Sequence, residues 1–393
     1  MKKILLISSL YYPHVGGVET MVRELARLYR KEKIEVNVLS KKWPISLFDY
    51  EVYEDVDIYR VPSARTDNEF LAIANWIKEH GNNMKPDIIH VIGARRPLPL
   101  IALVLRYYWN VPLVLTIAGG DIPDKNDPYP GTVWEESKST VYPVFEHADI
   151  ITCVSEDITR DFRHFFPEIK TAVETLYAGI DIEYIDKAPK EKYCDDYIFS
   201  LRRLDPTKGI HILIEAFAII TRTYSNLRLV IAGDGSERPY LEELVQKLRL
   251  GDNVKFIGTI GLERGISLLK GAKLTVVPSL SEAGGLVNVE AQAAGCPVVA
   301  TRVGGIPEYV QDGISGLLCR PNDVPDLAKK IMLLLGDKEL RGKMIEGGLA
   351  HARKFDWEVL GPKYLSLYDS IIEMFKRREL CQDALFQLMW NSL

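Results

Sequence analysis

Short apolar runs alternate with longer stretches of mixed polarity along almost the whole chain. Ile4–Ser8, Val36–Ser40, Ile58–Val61, Ile88–Val91, Leu113–Ile117 and Ile150–Val154 read as strands. Between them lie amphipathic stretches. Val18–Lys31, for example, carries Val22, Leu25, Leu28 and Tyr29 on one side at helical spacing. Strand–helix alternation of this kind predicts a parallel sheet flanked by helices. The pattern breaks after Tyr184, where residues 187–196 are polar and charged and read as a linker. A second series follows. Strands are expected at Tyr197–Leu201, Leu227–Ala232, Val254–Ile257, Leu274–Val277 and Val298–Ala300. Helices are expected at Ile210–Thr221, Tyr240–Leu248, Leu286–Ala294 and Val324–Leu335. The chain closes with two helices, Trp357–Arg378 and Leu380–Leu393. The expected fold is α/β, with two Rossmann-like domains facing a cleft. Residues 1–188 form the first and 189–359 the second, and helices from about 360 to 393 cross back to the first.

Composition changes this picture little. With 393 residues, two domains are the natural reading. A net charge of −5 gives no basic field for a nucleic acid. Five scattered cysteines with no CxxC pair argue against a disulfide framework or a metal knuckle, and fit a reducing, cytoplasmic setting. The apolar N-terminus ends at Pro13 and Gly16-Gly17 and reads as a buried strand rather than a signal peptide. No run approaches the ~18 apolar residues needed to span a bilayer.

Candidate chemistry gathers where strands run into glycine-bearing turns. In Pro278-Ser-Leu-Ser-Glu-Ala-Gly-Gly-Leu-Val-Asn-Val-Glu290 a strand enters such a turn and then a helix. Gly284 and Gly285 permit close backbone approach, and the first free N–H groups of the helix favour an anion. Glu282 and Glu290 stand at either end as acceptors for hydroxyl groups. Arg203 and Lys208 follow an earlier strand. Lys208 at a helix start opposes the helix dipole, which a bound diphosphate would reverse. Gly16-Gly17 is not a GxGxxG fingerprint, and serves equally as a phosphate approach or as a tight turn. The turns at Gly235 and Gly261 lie on the same sheet edge and read mainly as structural. Asp55-Val-Asp57 is formally a DxD but reads as a solvated charge run.

These residues, in this order, resemble the donor domain of family 4 retaining glycosyltransferases, which have the GT-B fold. The matching positions are Arg203…Lys208-Gly209, Gly233-Asp-Gly235, Pro278-Ser279, Glu282-x7-Glu290, Gly295-Cys-Pro-Val-Val, Gly304-Gly-Ile-Pro-Glu308 and Asp312-Gly313…Gly316. The first half matches more thinly, through Gly16-Gly17-Val18-Glu19, His90 and Gly119-Gly120-Asp121. The resemblance implies transfer of a hexose-type sugar from a nucleoside diphosphate sugar to a glycan, lipid or small-molecule acceptor, without a metal or further cofactor. It implies that Arg203 and Lys208 hold the diphosphate, Glu290 the ribose hydroxyls and Glu282 the sugar. Backbone N–H groups of Gly284, Gly285, Leu286 and Val287 would face sugar and phosphate. Gly16 and Gly17 would close from the other domain, and Asp121 is a candidate contact. Three positions depart from the family: Ala118 replaces a frequent His, Gly284 an aromatic, and Ala178 an Asn. The change at 284 implies a wider sugar pocket. An epimerase-type enzyme on the same fold and a non-catalytic sugar-nucleotide-binding subunit are the alternatives.

Two segments have the composition of a membrane surface helix: Arg95–Trp109, and the tail with Lys376-Arg377-Arg378 followed by Leu385, Phe386 and Trp390. The first reads preferentially as a core helix. For the tail, domain clasping, dimer contact and peripheral contact with the inner membrane face compete.

Overall fold

Runs of Val, Ile and Leu can bury both faces of a strand only inside a sheet covered on both sides, and two such sheets form. A computed structural model describes residues 2–14, 16–62, 67–93, 98–123 and 132–390. The first sheet contains β1 (Lys3–Ser8), β2 (Glu35–Lys41), β3 (Tyr50–Tyr53), β4 (Val56–Val61), β5 (Ile88–Ile92), β6 (Leu113–Ile117), β7 (Ile150–Cys153) and β8 (Val173–Thr175). Their order is β3-β4-β2-β1-β5-β6-β7-β8, parallel except for the β3–β4 hairpin. The second sheet contains β9 (Tyr197–Leu201), β10 (Arg228–Ala232), β11 (Val254–Phe256), β12 (Leu274–Val277), β13 (Val298–Thr301) and β14 (Leu317–Cys319). Its order, β11-β10-β9-β12-β13-β14, is that of a doubly wound sheet, and all its pairs are parallel.

Helices cover both sheets. Those of the first half are α1 (Gly17–Lys31), α2 (Asp67–Met84), α3 (Leu98–Trp109), α4 (Thr132–His147), α5 (Glu156–Phe165) and α6 (Ile182–Lys187). The second half adds α7 (Ile210–Ile220), α8 (Arg238–Lys247), α9 (Leu262–Gly271), α10 (Leu286–Ala293), α11 (Ile306–Tyr309), α12 (Val324–Gly336), α13 (Lys338–Ala352) and α14 (Trp357–Trp390). Alternate strand residues feed separate cores. Leu5 and Ile7 join one face of the first sheet and Ile4 and Leu6 the other, while Ile198 and its neighbours Tyr197 and Phe199 divide likewise in the second.

The return to the first domain is built from a helical stripe. Trp357, Leu360, Tyr364, Tyr368 and Ile371 are buried in the core that contains Ile4, Leu6, Leu25 and Tyr29. A buried polar chain fixes this contact. Tyr29 donates to Tyr368 at 2.9 Å, Tyr368 meets His90 Nδ1, and His90 Nε2 lies 2.6 Å from Thr116 Oγ1. Burial pushes the His90 imidazole down to about 3, so it is neutral. His90 is therefore a strut between sheet and returning helix.

One feature differs from the pattern-based expectation, and two others take the form expected. The tail is one helix rather than two, with Pro362 inside its second turn. The DxD runs from the β3–β4 turn into β4: Glu54 and Asp55 form the turn with positive φ, and Asp57, in β4, accepts from Tyr50 at 2.6 Å. In α3, Leu98, Ile101, Ala102, Leu105 and Trp109 are buried, so it is a core helix, while Val104, Tyr107 and Tyr108 are exposed. Arg95, Arg96, the side chains of residues 379–390, and residues 391–393 lie outside the described residues. No described helix is long and apolar enough to cross a membrane.

Candidate functional site

In a doubly wound sheet the strand order reverses at one point, and the loops there part to leave a crevice. In the second sheet this point lies between β9 and β12. The loop after β9 carries Arg202, Arg203 and Lys208, and the loop after β12 runs from Pro278 to Gly285. Backbone bonds tie the two together: Leu280 N–H donates to Thr207 O at 2.7 Å. Gly209, at φ +63°, lies so close to the second loop that a Cβ would stand 2.1 Å from Pro278 O. Gly304, at φ +54°, meets Glu282 O in the same way at 2.0 Å. Only glycine admits these contacts, so the loop bearing Glu282 is clamped from both sides.

Glu282 is the hub of the site. Its Oε2 accepts from Arg202, from Lys208 Nζ at 3.2 Å and from Ser279 Oγ at 3.2 Å. Arg202 also donates to Ser279 Oγ at 2.8 Å. All three contacts fall on one oxygen, and Oε1 has no partner among the described residues. Burial alone would raise this carboxyl, but Arg202 and Lys208 overcome it and hold Glu282 down at about 2, fully ionised. Lys208 is lowered by burial, against the pull of Glu282. Two further buried polar atoms, Arg202 Nε and Asn288 Oδ1, also have no partner among the described residues.

Arg203 stands apart from this hub. Its side chain is 67% exposed and lies 3.4 Å from Asp205, while Arg202 turns inward. Adjacent residues leaving a strand face opposite ways, so one arginine of the pair had to point outward. Arg202, rather than Arg203, is therefore the arginine paired with Glu282.

The remaining sequence-derived positions divide between cleft and scaffold. Gly285, at φ +113°, opens α10 with no side-chain cap, so the N–H groups of its first turn face the loop unshielded. Leu286 and Val287 form that turn. A Cβ at Gly284 would meet the Tyr309 ring at 3.1 Å. The expected widening of the sugar pocket there is therefore corrected: Tyr309 occupies the space on that side. Gly16 caps α1 with extended backbone, and the Glu19 carboxylate curls over it, 2.4 Å from where a Cβ would stand. Gly17 faces open space, as does Gly261, which caps α9. Gly235 is scaffold, since a Cβ there would stand 2.4 Å from Leu204 O. Asp121 is 3% exposed and accepts from its own turn, at Ala118 N, 2.9 Å away.

Residues of both domains meet here. Val18, Ala118, Ala283 and Leu286 pack in one cluster, and a Cβ at Gly119 would touch Ala283 at 2.8 Å. Beyond α10 is a small cleft pocket of about 20 Å³, lined by Thr20 and Glu24 of α1, Asp181, Tyr184, Leu262 and Glu290. Burial pushes the Glu290 carboxyl up to about 7, with Arg202 and Arg23 pulling it down and Glu24 adding to the rise. Glu24 is itself raised by burial although Arg23 lies 2.7 Å away. The Glu290 side chain lines this pocket and makes no ion pair among the described residues. No group of three His, Cys, Asp or Glu among the described residues is arranged to hold a metal.

Two parallel-sheet domains, a cleft at the switch point, an open carboxylate held by two cations and an uncapped helix N-terminus define a GT-B architecture with an anion-and-hydroxyl site. Comparison with known proteins agrees. Residues 15–184 match the model described as Glycosyltransferase Family 4, and residues 181–351 that described as Glycosyl transferases group 1. An uncharacterized glycosyltransferase of Methanocaldococcus jannaschii is 30% identical over 90% of this chain and 94% of its own length. Sucrose-phosphate synthase from Thermosynechococcus elongatus superposes with a TM-score of 0.81 at 22% identity, covering 95% of this chain and 100% of that one. Anabaena HepE, in complex with UDP and glucose, superposes with a TM-score of 0.73 at 20% identity over 94% of this chain and 100% of that one. The chain belongs to the group 1, family 4 glycosyltransferases, and its general activity is glycosyl transfer.

Proposed function

We propose that this glycosyltransferase retains anomeric configuration, works without a metal, and moves a hexose-type sugar from a nucleoside diphosphate sugar to an acceptor hydroxyl. The observation that carries this reading is the Glu282 hub. A carboxylate with one oxygen locked by Arg202, Lys208 and Ser279, and the other open, is a rigid acceptor for sugar hydroxyls. Lys208 keeps two N–H groups for the diphosphate, which also meets the N–H groups of Gly285, Leu286 and Val287 at the start of α10. Arg203 reaches the same anion by leaving Asp205. Gly16 and Gly17 approach from α1, where the phosphate displaces the Glu19 carboxylate. Glu290 accepts from the ribose hydroxyls.

Double displacement needs a carboxylate nucleophile, and the sequence places none, Asp121 being a candidate contact only. Its near-complete burial and its bond to Ala118 N–H favour front-face attack instead. The bond from anomeric carbon to diphosphate oxygen breaks, the acceptor oxygen bonds on the same face, and its proton passes to the leaving diphosphate. The protein stabilises the charge growing on that leaving group.

The assay begins with a thermal-shift screen of nucleoside diphosphates and their sugars, since a bound donor raises apparent stability by mass action. With the donor so chosen, Lys208→Ala should lower kcat/KM roughly 10²–10³-fold while circular dichroism stays native, and chelator should change nothing. Full activity in Lys208→Ala would refute the diphosphate role; loss of activity in chelator, restored by a divalent ion, would refute metal independence.

A further inference from the structure

The two domains are joined near the donor loop by a carboxylate for which the proposed chemistry has no use. Glu308 belongs to α11 of the second domain, and α5 to the first. The Glu308 carboxylate accepts from the backbone N–H of Glu156 at 2.7 Å and of Asp157 at 2.9 Å. These are the first two N–H groups of α5, which have no partner inside their own helix. The third, on Ile158, is taken by the N-cap Ser155 at 3.2 Å. Tyr177 adds an O–H donor to Glu308 at 3.0 Å. One domain therefore supplies the anionic cap for a helix of the other, where the helix dipole favours negative charge.

The same patch holds the donor loop. Ser155 Oγ donates to Ala283 O at 2.6 Å, between Glu282 and Gly284. Tyr309, next to Glu308, donates across to Val154 O at 2.8 Å and lies under Gly284. The contact combines these hydrogen bonds, which water can replace when the domains part, with the Tyr309, Tyr177 and Phe355 rings and the apolar side chains packed around them, among them Ile180 and Val289.

We infer that Glu308 is the closure latch of this enzyme: its carboxylate caps α5 only when the domains close, and that docking positions the Glu282–Gly285 loop for transfer. Glu308 is a positioning residue, since it acts on the donor through Ala283 and Tyr309. This inference rests on the glycosyl-transfer reading for its consequence but not for its geometry.

The test compares wild type with Glu308→Gln and Glu308→Asp. A neutral Gln offers one acceptor oxygen and turns an NH2 toward the α5 N–H groups. Small-angle scattering of Glu308→Gln without donor should give a larger radius of gyration than wild type. Its kcat should fall about tenfold or more, because charge-assisted bonds at a helix N-terminus are the strong kind. Affinity for a nucleoside diphosphate alone, most of whose proposed contacts lie in the second domain, should fall by a smaller factor than kcat. Glu308→Asp keeps the charge at shorter reach and should recover part of both losses. Ser155→Ala, which removes the Ala283 bond and the N-cap bond from Ile158 N–H but leaves Glu308 in place, should lower kcat with little change in scattering. An unchanged radius in Glu308→Gln, with kcat lost only in proportion to unfolded protein, would overturn the latch. If the radius shifts but wild type transfers no sugar, the latch stands and the proposed function fails.

Discussion

Glu290 should make nucleotide binding depend on pH. Burial has raised its carboxyl from an ordinary 4.5 to about 7, which corresponds to ~3 kcal/mol of preference for the neutral acid. Ribose hydroxyls are donors, and a carboxylate accepting two of them favours the ionised form. Binding thus returns Glu290 to the ordinary carboxylate range, and the proton leaves. Below pH 7 the free enzyme holds a proton that the complex has lost. Affinity for a nucleoside diphosphate should then fall about tenfold per pH unit, to roughly a hundredfold loss at pH 5. Isothermal calorimetry at pH 6 in buffers of differing ionisation enthalpy should show roughly 0.9 of a proton released from this group. The diphosphate titrates in the same range, so Glu290→Gln is the control: it cannot ionise, and the difference in slope from wild type belongs to Glu290. Stability gives an independent reading. Between pH 4.5 and about 7 the folded chain keeps a proton that the unfolded chain has released, so folding stability falls as pH rises through that window. Glu290→Gln should abolish that fall and stabilise the protein at pH 8 by up to ~3 kcal/mol. Identical pH slopes for wild type and Glu290→Gln would refute the ribose assignment.

Two further outcomes follow from the Glu282 hub. Glu282→Gln leaves Arg202 and Lys208 buried together without their anion and should destabilise by roughly 3–5 kcal/mol in urea titration. Because the Glu282 carboxyl is held down near 2, that deficit should be constant from pH 8 to 5 and shrink only below about 4.5. Equal stability of the two proteins at pH 7 would show that the ion cluster is not what holds the loop. Gly209→Ala forces a Cβ within 2.1 Å of Pro278 O at a left-handed φ, so the two loops must part. Its melting temperature should fall, and donor affinity should fall with it; native affinity would mean that the loops move independently.

Much of the architecture was legible because burial on both faces writes strands as unbroken apolar runs, and β1, β5, β6, β9 and β12 all lie where those runs lie. β8 and β14 escaped because three residues give no period to read, and β3 because its exposed positions, Tyr50 and Val52, are apolar while Glu51 lies on the inner face, which inverts the expected pattern. The glycine turns, both glutamates and Lys208 were visible as residue types at strand-to-helix junctions. Their partners were not. Adjacent arginines look alike in a sequence, and only the direction in which each leaves β9 makes Arg202 the partner of Glu282 and sends Arg203 to solvent. Gly284 read as empty space until Tyr309, some 25 residues on, was found beneath it. Glu308 matched a family motif with no role attached, because the helix it caps lies in the other domain. Local sequence therefore determined the strands, the helices and the chemistry that each turn could offer, since these depend on short-range sterics and on polarity periodicity. The opposing residues, the open oxygen of Glu282 and the raised carboxyl of Glu290 were decided by tertiary packing. They depend on distance and burial, which arise only when segments far apart in the chain are brought together.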